Sequence, residues 1–512
     1  MRTTLTSLVF ASQVATAQIS LVETRAAFEG IDESEPVNVS IPADPDIGVG
    51  DRFIIQVVNS HIRCWGRNDH TNVFNSDLRS FLDLSPTSDG TDPRVIFDEG
   101  RFLVSAYGIV ENITGRQIVV AISPTEAEMG ADPLADWTII QLAGFFEVVP
   151  GAPTTCATGP GVIGGIFADQ PALGSSLDWW IVSAFLAPNS NTNPADFLIW
   201  LIRKSDLTLA GPFFRSSFDD AGVLLDCLTD TNGLGFPRPA KRGASPLPIL
   251  VAMHEVAMGP CDVPAGKVDS VDLYAIQNPL GPVVFHYETV RLGPCMPDEP
   301  PCAPTPGGVN VSTIEPPLSA NDARIASAFW HEDDDADHLW ITLNTEVQFG
   351  PDDGFPPGTV QGVIKWYRLD MHGWPTSGQS PQVGASGTIQ SLSTVAPPFN
   401  VRHSFYPSGV VNDEGDFAIV FGTSSTTETA AIRAWARRAD GATLPQFIIK
   451  QSPVGDTPDD LFKGSCARWG DYFDVELDPR DDTFWGTGMY MKAGGSAEQE
   501  KWGTYIVHFK VD

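Results

Sequence analysis

Along most of the chain, short apolar runs alternate with turns rich in Gly, Asp and Asn. Examples are DRFIIQVVNSHIRCW from Asp51, RVIFDEGRFLVSAYG from Arg94, LDWWIVSAFLA from Leu177, HLWITLNTEV from His338 and GDFAIVFGTSS from Gly415. Their β-branched and aromatic side chains suit a pleated, half-buried surface, so the runs are predicted strands. The breaks between them, DEG at Asp98, DEGD at Asp413 and RADG at Arg438, carry hairpin-turn residues. No segment keeps a 3.6-residue apolar period over ~12 residues, so long helices are not expected. The predicted strands fall into about seven clusters of three or four each, the repeat size of a propeller blade. The clusters begin near Gly48, Asp92, Leu177, Ser245, Asn321, Val401 and Cys466. A chain of β-sandwiches is the structural competitor. No Pro/Ser-rich linker separates the clusters, which favours one closed ring: an all-β fold with a single β-propeller over 44–512.

A ring of blades avoids two unpaired sheet edges only if its first and last blades join. The final strand-like segment, Gly503–Val511, is apolar at alternate positions. Two short pieces near the start, Ile19–Val22 and Val37–Ile41, are the candidates to lie beside it. The first residues fit an export signal: Arg2, a short apolar stretch Leu5–Val14, and Ala15-Thr16-Ala17 before a cleavage point at Gln18. The expected layout is a signal peptide at 1–17, an N-terminal extension at 18–43 and the propeller thereafter, giving a secreted protein.

Charge narrows the partners. The formal net charge is −33, from 64 acidic and 31 basic residues. Such a surface repels nucleic-acid phosphates and anionic membranes. No later run has the ~18 apolar residues of a membrane span, and a monomer is expected. Among the seven cysteines, Cys295 and Cys302 flank a Pro-rich loop and form the best local pair. None has CxxC spacing or a nearby His, which argues against a zinc site.

Five segments resemble, in order, the blade signatures of a family of secreted bacterial β-propeller proteins. They are DPDIGVGDRFIIQVVNSHIRCW at Asp44, DPRVIFDEGRFLVSAY at Asp92, SANDARIASAFW at Ser319, VRHSFYPSGVVNDEGDFAIVFGTSS at Val401 and CARWGDYFDVELDPRDDTFWGTGMYM at Cys466. The last is the most specific, through Arg468-Trp469-Gly470-Asp471-Tyr472. The chain departs from that pattern at Asp51-Arg52, where Pro-Asn is usual, and at Phe473-Asp474, where Ser-Gly is usual. The resemblance implies a propeller fold and export; it brings no catalytic residues.

Several residues carry candidate chemistry. Arg468, Trp469, Asp471 and Tyr472 offer charge and an aromatic face at a strand entrance, for stapling blades or binding a ligand. Arg402 and His403 with Tyr406 could neutralise a sugar carboxylate and move a proton, as a polysaccharide lyase requires; a buried, backbone-bonded His is the competing reading. Arg94, Arg324, Arg402 and Arg468 each stand near the start of a blade and could converge on the channel. The catalytic candidates are thus His403, Tyr406 and Tyr472. The sialidase Asp-box repeat, a phosphate loop, GxSxG and HExxH are all missing. In the loop His331–His338, Asp333, Asp335 and Asp337 alternate as Ca²⁺ ligands often do, so a structural Ca²⁺ is the candidate cofactor; a solvated hairpin tip is the alternative. Two functions follow. One is a non-catalytic module binding an extracellular glycan or protein; the other is a carbohydrate-active enzyme, a lyase or glycoside hydrolase, at the channel mouth.

Overall fold

The computed structural model describes residues 22–35, 42–86, 88, 90–109, 116–129, 133–142, 145–146, 166–188, 196–214, 238–241, 245–253, 268–294, 325–333, 336–348, 360–392, 401–425, 428–453, 462–463, 466–467, 469–492 and 501–512. These form seven antiparallel sheets of four or five strands, one small two-stranded ladder and a single helical turn, Leu78–Phe81. The architecture is a seven-bladed β-propeller. The blades run outward in chain order from an inner strand, except that the outermost strand of the seventh comes from the N-terminal stretch. The inner strands are Asp46–Val49, Thr91–Asp98, Ile166–Ser175, Arg238–Pro239, Ile325–Glu332, Val401–Val411 and Asp474–Leu477. Each lies against the next, and the seventh lies against the first, so the ring is closed.

The apolar runs of the sequence are the second and third strands of the blades. Phe417–Ser424 is buried at every position, and Trp179–Phe185 and Phe484–Lys492 are nearly so. Strands covered on both faces by neighbouring blades lose the in/out alternation and read as continuous apolar runs. Large rings fill the wedges between blades: Trp340 packs on Phe417 with centroids 4.6 Å apart, and Trp180 and Trp200 lie in the core between the second and third blades. Where blades approach closely the residues are small. A Cβ on Gly174 would come within 2.5 Å of the Ala240 carbonyl oxygen.

Closure is made by the N-terminal stretch, as expected, through a strand that shares Val22 with the first expected piece and runs on to Asp32. Val22–Asp32 pairs antiparallel with Lys501–Val511 and becomes the outer strand of the seventh blade, in register from Val22 opposite Val511 to Asp32 opposite Gly503. This segment is therefore part of the ring. Ile19 and Val37–Ile41 lie outside the described residues. The closing strand carries charge at Glu23, Arg25, Glu29 and Asp32 because most of it is solvent-facing, which hides its strand pattern. Ion pairs fasten it: Lys450 to Glu29 at 2.7 Å, Lys492 to Asp32 at 2.7 Å, and Arg25 to Asp481. Beneath it the buried Gln56 of the first blade accepts from the Ile31 backbone N–H at 2.9 Å and donates to Thr487 of the seventh at 2.6 Å.

Cys64 is buried and unpaired; burial pushes its thiol far above the usual range. Cys295 and Cys302 lie outside the described residues. Among the described residues no helix is long and apolar enough to cross a membrane.

Candidate functional site

Because every inner strand faces the axis, its polar residues meet in the channel. One narrow recess is lined from all seven inner strands or the residues just after them. It includes Asp46, Arg94, Leu173, Arg238, Lys241, Ser327, Ser408 and Asp474. A second is lined by Asp98, Ser175, Lys241, Glu476 and Pro479. Lys241 belongs to both. Its backbone bridges to the fifth blade beside Phe329, where its N–H donates to the Ala328 carbonyl at 2.9 Å. Its Nζ donates to Asp474 Oδ1 at 2.7 Å and Glu476 Oε1 at 2.6 Å. An ammonium bridging two carboxylates thus stands between the two recesses.

The rest of the network binds blade to blade. Arg94 Nη1 donates to Asp46 Oδ2 at 3.0 Å, and Asp46 Oδ1 accepts from the Val95 N–H at 2.9 Å. Ser408 Oγ donates to Asp474 Oδ1 at 2.8 Å. The Arg94 guanidinium lies 3.1 Å above the centre of the Tyr472 ring. Its Nε is buried without a partner among the described residues. Burial, with Asp474 nearby, pushes Asp46 up to about 6. Burial likewise pushes Glu476 up to about 8, even with Lys241 opposing it. Burial disfavours the charge on Lys241, but Asp474 and Glu476 hold it protonated beyond the usual ammonium range.

At the head of the inner strands, Asp44, Asp92 and Asp471 place carboxylate oxygens within 4.8 Å of one another. Asp44 and Asp92 adopt left-handed backbone, φ +47° and +51°, which short polar side chains tolerate. Asn59 ties them together, donating to Asp44 Oδ2 at 2.8 Å and accepting from the Asp92 N–H at 2.7 Å. Asp44 Oδ1 also accepts from the Asp471 N–H at 2.6 Å. An oxygen-only set of this kind could hold a hard cation such as Ca²⁺.

The residues singled out in the sequence divide. Arg94, Asp471 and Tyr472 do come together at this end of the channel. Tyr472 is buried and donates to the Pro93 carbonyl at 2.6 Å. Trp469 is buried in the core. Arg402, His403 and Tyr406 are built into the sixth blade. Arg402 Nε donates to Glu428 Oε2 at 2.6 Å, a carboxylate shared with Arg433. His403 Nδ1 accepts from the Gly362 N–H at 3.1 Å, and burial lowers it to about 4. Tyr406 is 1% exposed and packs near Phe473. Asp333 accepts from the Ala336 N–H at 2.9 Å and contacts His338 Nε2 at 3.0 Å; Asp337 pairs across the same hairpin with Glu332. Arg324, Arg468 and Asp335 lie outside the described residues.

Asp46, Lys241, Asp474 and Glu476 escaped the sequence reading. Asp474 had one signal, since it stands where the family resemblance has Gly. Lys241 had none, lying in a polar loop with no flanking pattern. The bond that anchors Tyr472 is testable: Tyr472→Phe is expected to lower stability by about 1–2 kcal/mol, the cost of leaving the buried Pro93 carbonyl without its donor, in a guanidinium denaturation curve.

No protein-family model matches the chain, and no curated protein does. Several solved structures align with much of the chain. The α-L-arabinofuranosidase of Fusarium graminearum aligns over 95% of this chain and 98% of its own, at 10% identity and a TM-score of 0.38. The Trypanosoma rangeli sialidase aligns over 86% of this chain and 56% of its own, at 10% identity and TM-score 0.35. The WD40 domain of SCAP from fission yeast aligns over 89% and 82%, at 7% identity and TM-score 0.34.

Proposed function

We propose that this is an exported, non-catalytic recognition propeller that takes a polyhydroxylated ligand of the glycan class in the recess at its channel. The observation that carries the reading is how the acid–base candidates are used. Tyr472 commits its hydroxyl, His403 its Nδ1 and Arg402 its Nε to bonds within and between blades, a structural use of groups that acid–base catalysis would need. The recess combines charged and hydroxyl side chains, Arg94, Lys241, Asp474, Ser327 and Ser408, with the apolar Leu173 and Phe473. Such a mixture of directional polar groups and apolar wall orients a small hydroxylated ligand. Extracellular proteins are the other partner class in keeping with export.

One observation favours a second reading, a glycoside hydrolase at the channel. Glu476, pushed up to about 8, is a protonated carboxyl at neutral pH, and Asp474 shares its ammonium partner. A protonated acid beside a second carboxyl group is the pairing glycoside hydrolysis uses. A glycan array run beside a polysaccharide depolymerisation screen separates the two. Recognition predicts retained glycan, lost at least tenfold in Asp474→Asn, with no new reducing ends. Reducing ends that vanish in Glu476→Gln overturn it in favour of the enzyme. A clean array with no hydrolysis rejects the glycan class.

A further inference from the structure

The inner strand of the seventh blade carries Asp474 and Glu476 two positions apart, so both side chains project to the same face. Lys241, just past the inner strand of the fourth blade, reaches across the channel to both. Its Nζ stands 2.7 Å from Asp474 Oδ1 and 2.6 Å from Glu476 Oε1. Oδ1 also accepts from Ser408 Oγ at 2.8 Å, whereas Oδ2 has a long approach of 3.4 Å from the Ile47 N–H. The side chains of Lys241, Asp474 and Glu476 are only 16%, 2% and 14% exposed, so little bulk water reaches the place where they meet. An amine, a carboxyl group, a second carboxyl group and a hydroxyl therefore converge on one pair of atoms, Nζ of Lys241 and Cγ of Asp474.

A hydrogen bond of that length to a carboxyl oxygen leaves Nζ roughly 3.5 Å from the carboxyl carbon, the separation of a near-attack conformer. Reactants held in such a geometry behave as if at about 10⁵–10⁸ M, which is what an unactivated carboxyl needs to react with an amine. The attacking species is the neutral amine. The carboxyls that hold the ammonium are also the bases that can take its proton, and burial disfavours the charge on Lys241 and on Glu476. One ammonium proton passes to Asp474. The amine lone pair forms the Nζ–Cγ bond, and negative charge gathers on Oδ1 under the Ser408 hydroxyl. Glu476, which burial keeps protonated at neutral pH, takes a second proton from Nζ as it gives its own to Oδ2. The Cγ–Oδ2 bond then breaks and one water leaves. Ammonium and carboxylate become amide and water, no oxidant or cofactor is consumed, and Glu476 ends as it began.

We propose that Lys241 and Asp474 condense into an intramolecular isopeptide bond, with Glu476 as the acid–base catalyst and Ser408 as the oxyanion donor. The bond ties the fourth blade to the seventh across the channel, between positions 233 apart in the chain. It does not depend on any ligand in the recess. A chain that has not condensed keeps the ion pair of Lys241 with Asp474 and Glu476 as its reactant state.

The test is mass spectrometry of the whole chain and of its tryptic peptides, under denaturing conditions, after the folded protein has been incubated near pH 8. The wild type should be lighter by one water than its unjoined peptides sum to. The Lys241 and Asp474 peptides should be linked, with no cleavage after Lys241. Lys241→Arg and Asp474→Ala should restore the full mass. Glu476→Gln should slow conversion by about 10²–10⁴-fold, and Ser408→Ala by about 10²–10³-fold. Unlinked Lys241 and Asp474 peptides in the fully incubated wild type overturn the proposal, and that measurement decides even where a variant fails to fold. A linked pair that forms as fast in Glu476→Gln as in the wild type overturns the catalytic assignment.

Discussion

A chain lacking residues 1–32 should no longer melt as one cooperative unit at the full-length temperature. Val22–Asp32 is a whole strand of the seventh blade, and its loss strips the outer edge of Lys501–Val511. It also removes Ile31, which is fully buried and worth about 1.5–3 kcal/mol by itself. Gln56 then loses the Ile31 N–H and the Thr504 hydroxyl loses the Ile31 carbonyl, leaving buried polar groups short of partners at about 1–3 kcal/mol. These terms act where the ring is joined, so their sum far exceeds the ~1 kcal/mol of an ordinary surface change. Thermal scans with limited proteolysis would read the outcome. Deleting 501–512 should be worse, because that strand pairs on both sides, with Val22–Asp32 and with Phe484–Lys492. A truncated chain with an unchanged melting temperature would place the closure elsewhere.

How far the sequence reveals this molecule depends on what each residue packs against. Runs such as Phe417–Ser424 are legible as strands because both faces are covered, so nearly every position is apolar and the flanking turns mark their ends. Seven such clusters suffice for the blade number. The closing strand is illegible for the opposite reason: Glu23, Arg25 and Glu29 face water or pair across its surface, and nothing periodic survives. The site follows the same logic. Arg94, Asp471 and Tyr472 can be picked out because they stand in motif-like segments, and they do meet. Lys241 belongs to the same network but lies 147 positions from Arg94 and 233 from Asp474. Only ring closure brings these residues together, and no local pattern encodes that distance. Arg402 and His403 look like chemistry in one dimension and act as blade structure in three, since their partners Glu428 and Gly362 are unrecognisable from spacing.

The channel network makes a prediction about pH. Glu476 titrates at about 8 in the folded protein, against 4.5 ordinarily. A carboxyl whose folded value is raised keeps its proton on folding, so its contribution is complete below the unfolded value and is lost as pH rises through the folded one. Asp46, raised from 3.8 to about 6, acts in the same sense but finishes by about pH 6. Between roughly pH 4 and 6.5 both are opposed by His403 and His508, which burial lowers to about 4; a depressed histidine makes the fold gain stability with rising pH up to its unfolded value of 6.5. An unfolded histidine is still half protonated at pH 6.5, so that opposition, shared by His61, His70 and His331, which burial also lowers, fades only above about pH 7.5. Glu476 by itself lowers stability by about 1.4 kcal/mol per pH unit well below its folded value and by less near it, so between pH 6.5 and 8 the wild type should lose roughly 1.5 kcal/mol more than Glu476→Gln. Denaturant midpoints at pH 6.5, 7.25 and 8 would show the slope, and Glu476→Gln should flatten it. Lys241→Met removes the only ammonium between Asp474 and Glu476 among the described residues. It leaves those carboxyls buried without their cation, and should cost roughly 3–5 kcal/mol at pH 8, with a smaller loss at pH 6.5, where Glu476 still holds its proton. Equal slopes in the wild type and Glu476→Gln would show that Glu476 is already ionised at neutral pH, and would remove the protonated acid on which the hydrolase reading rests.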